Sequence, residues 1–131
     1  MYLINILEYI GKIWKYTEGI NDAEKLFIKN EQMNFNASLT LLANIGENIS
    51  KISDKLKNEN IHWQEIKDFR NRIVHDYGGI DLLIVYEIIT NDLGILKQEI
   101  EKINQKIFDI EELEVCKSSN FYKYIDFNKI I

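Results

Sequence analysis

Apolar residues recur at intervals of three and four along almost the whole chain, and no proline, repeat or low-complexity segment interrupts them. That is the period of amphipathic helices, so the pattern predicts an all-α fold. The first helix is expected from about Tyr2 to Glu18, with Leu3, Leu7, Ile10 and Trp14 along one side and Gly19 just past its end. Asn21 followed three residues later by Glu24 resembles a capping box, opening a short element whose apolar side is Ala23, Leu26 and Phe27. A long helix then spans roughly Met33 to Lys57, its ladder formed by Leu42, Ile45, Ile49, Ile52 and Leu56. Leu39, Ala43, Gly46 and Ser50 form a second track of mostly small residues, bordered by Glu47, so this helix is expected to pack on two sides.

The polar stretch NENIH (58–62) reads as a turn, and the following helix carries Trp63, Ile66, Phe69 and Ile73 until YGG stops it. Asp81 is placed to cap the next helix, whose ladder of Leu82, Val85, Tyr86, Ile89, Leu93, Leu96, Ile100 and Ile103 continues to about Ile107. Periodicity weakens beyond it. FDIEELEVCK adds a helical turn or two, and the aromatic SSNFYKYIDFNKII is a tail suited to packing on the bundle or on a partner. The division expected is a helical bundle over 1–107 and an extension over 108–131.

A chain of 131 residues is one domain's length. With 46% hydrophobic and 28% charged residues it has the balance of a folded, water-soluble protein. No apolar run nears the ~18 residues of a membrane span, and the amphipathic start, with Glu8 and Lys12 inside it, is unlike a signal peptide, so a cytoplasmic location is expected. The single Cys116 excludes an internal disulfide and a cysteine-based metal cluster. A net charge of -5 argues against coating nucleic acid by bulk electrostatics, although 16 lysines and arginines suffice for a local basic site.

The stretch RNRIVHDY (70–77) concentrates the chemistry. With Arg70 set at zero on a helical wheel, Phe69, Ile73 and Ile66 fall at about 260°, 300° and 320°, and Trp63 and Val74 at about 20° and 40°. Arg70 thus lies inside the apolar stripe, where a guanidinium costs several kcal/mol unless it is paired or faces a polar cavity or interface. Asn71 and His75 continue the arc at about 100° and 140°, whereas Arg72 points elsewhere at about 200°. The helix C-terminus and Asp76 favour protonated His75, which keeps it able to exchange protons near neutral pH. On spacing alone these residues fit either a proton-transfer site or a satisfied helix end in which Arg70 pairs with Glu47 and fixes two helices. Tyr77 likewise reads as a packing aromatic with a wet hydroxyl.

RNRIVHDY also resembles the Arg-x4-His-x-Tyr signature of the HEPN superfamily, specifically the HepT-like toxins of toxin–antitoxin pairs. LLANIGENISKIS (41–53), IHWQEIKDFRNRIVHDYGGID (61–81) and VYEIITNDLGIL (85–96) recur in that family in the same order and spacing, and the likeness covers most of residues 3–107. The resemblance implies an antiparallel bundle of four to five helices that dimerises, the motif helices of two subunits meeting in a composite cleft. It implies a metal-independent ribonuclease without cofactor, in which Arg70 holds the scissile phosphate, His75 moves the proton, and Asn71 and Glu47 support them. It implies a minimal nucleotidyltransferase as partner, able to silence the toxin by adding AMP to Tyr77 and so to put bulk and negative charge beside Arg70 and His75. His62 stands where relatives often have proline and reads as a loop residue. The net acidity leaves a second reading, a non-catalytic helical module that binds a nucleotide or a nucleotidyltransferase.

Overall fold

The first helix, α1 (Tyr2–Tyr16), supplies a broad apolar surface: Leu3, Ile4, Ile6, Leu7, Ile10 and Ile13 are buried and Trp14 is half-buried. The computed structural model describes residues 2–52, 80–107 and 110–129, with the side chains of 103–112 outside the description, and among the described residues every regular element is helical. The surface of α1 is broader than the four-residue ladder expected because α3 and α5, defined below, both pack on it. The helix stops two residues before Glu18. Thr17 Oγ1 donates back to Ile13 O at 2.9 Å and Gly19 turns the chain at φ 77°, a conformation that side-chain-bearing residues adopt at a cost. A carbonyl that the helix end leaves open, Tyr16 O, accepts from Asn34 Nδ2 at 2.7 Å.

Helix α2 (Ala23–Ile28) is capped one residue later than expected. Asp22, extended at φ -153° and ψ 162°, accepts from Lys25 N at 2.7 Å, while Asn21 Oδ1 accepts from Lys25 Nζ at 3.2 Å. Only the residue with extended backbone directly before the helix can aim its oxygen at the third amide, so Asp22 takes the role that spacing assigned to Asn21. Asn30, Glu31 and Gln32 then adopt left-handed φ values of 49°, 56° and 71°, costing about 1–2 kcal/mol each without the relief glycine brings. Asn30 Nδ2 donates to Asn34 Oδ1 at 2.8 Å and ties this turn to the following helix.

That helix, α3 (Met33–Ser50), buries Phe35, Ser38, Leu42, Ile45 and Ile49 against α1 and α2. It ends well before Lys57: the amides of Lys51 and Ile52 bond the carbonyls of Asn48 and Ile49, three residues back, and close the helix in a tight turn. Residues 53–57, and with them Leu56, lie outside the described residues, as do NENIH and the helix expected around Trp63, Ile66, Phe69 and Ile73. The second track of α3 is not filled as expected. Leu39 packs on the core and Gly46 is half-buried, but Ala43 and Ser50 are exposed.

Asp81 caps α4 (Leu82–Glu87) as expected, its Oδ1 accepting from Leu83 N at 3.0 Å and Ile84 N at 3.1 Å. A π-helical turn (Ile88–Asp92) joins α4 to α5 (Leu93–Ile107), so the ladder is one rod with a widened turn at its middle. Leu93 N bonds Ile88 O rather than Ile89 O. This releases Ile89 O, and Trp14 Nε1 donates to it at 3.0 Å. The wide turn also places Ile88, absent from the expected ladder, beside Ile89 and Leu93 in the core.

The last helix, α6 (Ile110–Ser118), is longer than the turn or two expected. Leu113, Cys116 and, further on, Phe127 join the same buried cluster as α1, α3 and α5, with Tyr122 and Ile125 packed against it. The protein is an antiparallel helical bundle closed on one flank by its own carboxyl-terminal segment.

Candidate active site

Arg70, Asn71, His75 and Tyr77, like His62, lie outside the described residues; the structure describes the frame on either side of them. Upstream, Ile49 and Ile52 are buried and anchor the last turn of α3, from which the chain continues into residue 53. Downstream, the Asp81 cap fixes the start of α4. The described chain thus ends in buried apolar anchors before residue 53 and resumes at a satisfied helix cap after residue 79.

Glu47 is the one candidate site residue inside this frame. Its side chain is 68% exposed, with Lys51 Nζ at 3.9 Å, and a pair so open to water holds neither group firmly. A carboxylate this exposed is not part of a dry core. It remains accessible on the surface of α3. Beside it, Asn48 turns toward α1: its Nδ2 donates to Asn44 O at 2.8 Å and its Oδ1 accepts from Asn5 Nδ2 at 3.3 Å.

Sequence reasoning passed over a polar constellation on the flank of α1. Glu8, taken only as a charge within an amphipathic start, is fully buried, and its two carboxylate oxygens accept from Lys123 N at 2.9 Å and Tyr124 N at 2.8 Å. Tyr122 OH donates to Asn5 Oδ1 at 2.8 Å, and Lys12 Nζ lies 5.5 Å from the centre of the Phe121 ring. A β-carbon on Gly11 would collide with Tyr124, so this glycine is what lets the tail lie close to the helix. A signal was present: Asn5, Glu8 and Lys12, three and four apart, mark one helix flank, and Gly11 beside them leaves it bare.

The described residues form an all-α bundle, and the sequence between α3 and α4 carries an Arg-x4-His stretch, a combination that fits the HEPN class. Residues 6–103, an interval that contains RNRIVHDY, match the family model described as "Ribonuclease HepT-like", and the chain belongs to that HEPN family. It is 33% identical over 112 residues to the Methanocaldococcus jannaschii protein named "Putative RNase MJ1216", covering 84% of this chain and 88% of that one. A second protein of that organism, "Putative RNase MJ0125", is 32% identical over 85% of this chain and 92% of its own length. "Probable ribonuclease HepT" of Thermococcus cleftensis is 28% identical over 79% of this chain and 94% of its own. No solved structure matches the chain. Among the described residues no helix is long and apolar enough to cross a membrane.

Proposed function

We propose that this protein is a metal-independent endoribonuclease, the toxin of a toxin–antitoxin pair, acting in the cytoplasm as a homodimer with a composite Arg/His site. The observation that carries the reading is the coincidence of Arg70, His75 and Tyr77 in one short stretch inside the interval shared with the ribonuclease family. The names of the relatives point to the same substrate class, RNA.

The chemistry asks little beyond these groups. The ribose 2′-oxygen attacks the adjacent phosphorus, the bond from phosphorus to the 5′-oxygen breaks, and the products are a 2′,3′-cyclic phosphate and a 5′-hydroxyl. Because the nucleophile belongs to the RNA, no metal-bound water is needed. Arg70 binds the non-bridging oxygens and offsets the charge that builds on them. His75 takes the proton from the 2′-hydroxyl or returns one to the departing 5′-oxygen. Asn71 orients these groups, and Glu47, open to solvent on α3, supports Arg70 from the rim. A nucleotidyltransferase antitoxin ends the activity by transferring AMP to the Tyr77 oxygen as pyrophosphate leaves, setting a phosphate against Arg70 and His75.

Purified protein is expected to cleave RNA in the presence of EDTA, with Arg70→Ala and His75→Ala each losing activity by at least about a hundredfold, the scale of an electrostatic or acid–base contribution. Both variants should keep the helical circular-dichroism spectrum. Activity abolished by chelation, or undiminished in both variants, contradicts the mechanism. Mass spectrometry after co-expression with the nucleotidyltransferase should find added AMP on Tyr77; an unmodified tyrosine in a fully neutralised protein means inhibition by docking alone. The net charge of -5 favours one second reading, a non-catalytic module that binds a nucleotide or nucleotidyltransferase. It is separated from the first by the absence of both RNA cleavage and growth arrest on expression alone.

A further inference from the structure

The surface of the carboxyl-terminal tail mixes open aromatic rings with cations. Phe121 is 58% and Tyr124 38% exposed, and Lys123 beside Tyr124 is exposed too. Phe121 stands edge-on to Tyr122, ring centres 5.0 Å apart, and Lys12 Nζ of α1 lies 5.5 Å from the centre of the Phe121 ring. On the α5 side, Lys97 Nζ lies 5.2 Å from the centre of the Trp14 ring, and Lys97 lines a depression together with Tyr124. Among the described residues, Lys15, Lys25, Lys51 and Lys102 pair with carboxylates three or four positions away, but no carboxylate pairs with Lys12, Lys97 or Lys123. The two acids that share the depression, Glu101 and Asp126, are engaged by Lys129 Nζ at 4.0 Å and by the Asn128 amide at 3.1 Å. On a chain of net charge -5, three such cations gathered around exposed rings are a local exception.

We propose that Phe121 and Tyr124, with Lys12, Lys97 and Lys123, form a platform for single-stranded RNA that shares no residue with the proposed Arg/His site. Bases stack on the rings and phosphates meet the ammonium groups. The choice of RNA rests on the ribonuclease reading; the platform itself rests on the rings and cations. Single strands fit because only unpaired bases have faces to offer an exposed ring. An acidic peptide would engage the lysines and leave the rings bare, and an apolar partner would cover the lysines without a counter-charge. The backbone beneath is already fixed, since Glu8 holds the amides of Lys123 and Tyr124 and Gly11 admits Tyr124 against α1. A strand therefore meets rings held in place, and little ordering opposes its binding. Phe121, Lys123 and Tyr124 lie beyond the interval shared with the family, which ends at 103, so the platform is a feature of this chain's own extension.

The test uses the full chain and a labelled, mixed-sequence 2′-O-methyl oligonucleotide, which lacks the attacking hydroxyl and so reports binding without cleavage, read by fluorescence anisotropy. Phe121→Ala is expected to weaken binding about five- to a hundredfold, the worth of one stacked base, and Phe121→Trp, with its larger face, to hold or tighten it. Lys12→Gln should weaken binding and flatten the slope of log affinity against log salt by about 0.7, one phosphate contact on a single strand. The wild type should bind the single strand more tightly than a duplex of equal length, and polyglutamate should not displace it. Phe121→Trp and Lys12→Gln leave the seat on Glu8 and Gly11 in place, so they decide the matter even where Phe121→Ala loosens the tail. Affinity unchanged in Phe121→Ala and Lys12→Gln, an unaltered salt slope, Phe121→Trp as damaging as Phe121→Ala, equal binding of the duplex, or displacement by polyglutamate overturns the proposal. Binding of the oligonucleotide by a protein that cuts no natural RNA refutes the ribonuclease reading and leaves the platform standing. Cleavage with KM unchanged in both Phe121→Ala and Lys12→Gln refutes the platform and leaves that reading intact.

Discussion

Removing a carboxylate from water costs several kcal/mol unless its oxygens are taken up by donors, and Glu8 meets that condition with two backbone amides from the tail. Replacing it with alanine strips both amides of their acceptor. Glu8→Ala should therefore lower stability by about 2–4 kcal/mol, read from the urea midpoint, and Glu8→Gln, which keeps one acceptor, by roughly half as much. Gly11→Ala tests the same contact from the other side. The added methyl meets Tyr124, so the tail must lift, and trypsin should cut after Lys123 at least several times faster than in the wild type. An unchanged cleavage rate would show that the tail is not seated on Gly11. The local pattern marks a polar flank beside Gly11 but not the burial of Glu8, because its partners lie 115 and 116 positions away.

Among the elements, the α4–α5 rod shows how a local departure is stabilised from a distance. A π turn widens the helix and frees a carbonyl; the Trp14 indole, 75 positions earlier, takes it. Trp14→Phe retains the ring but leaves Ile89 O without this donor, and a loss of about 1–3 kcal/mol is expected in chemical denaturation. Asp81→Ala removes the acceptor for Leu83 N and Ile84 N and should cost about 1 kcal/mol, the ordinary worth of an N-cap. The ladders of α1, α3 and α5 and the Asp81 cap were legible in the sequence, since each depends on residues within a turn or two of one another. The shift of the first cap to Asp22, the early end of α3 at Ser50 and the π turn were not. Those are decided by backbone angles and by which carbonyls find distant donors, neither of which leaves a periodic trace.

At the scale of the whole molecule, the proposed composite site requires two chains, and the expected solution mass is twice the 15.5 kDa of the protomer. Light scattering tests this directly: a monomer with full ribonuclease activity would rule out a site shared between subunits. The sequence by itself determined that the protein is helical, where its main apolar ladders run and which family it belongs to. Helical period and the ordered segments of a family are properties of neighbours along the chain, so they survive without coordinates. Only the tertiary structure decided that Glu8 is buried, that Glu47 stays open to solvent, and that Tyr122 is joined to the end of α3. Desolvation and hydrogen-bond partnership are settled by what packs against a residue from far along the chain, and that information exists only once the tail has closed on the bundle.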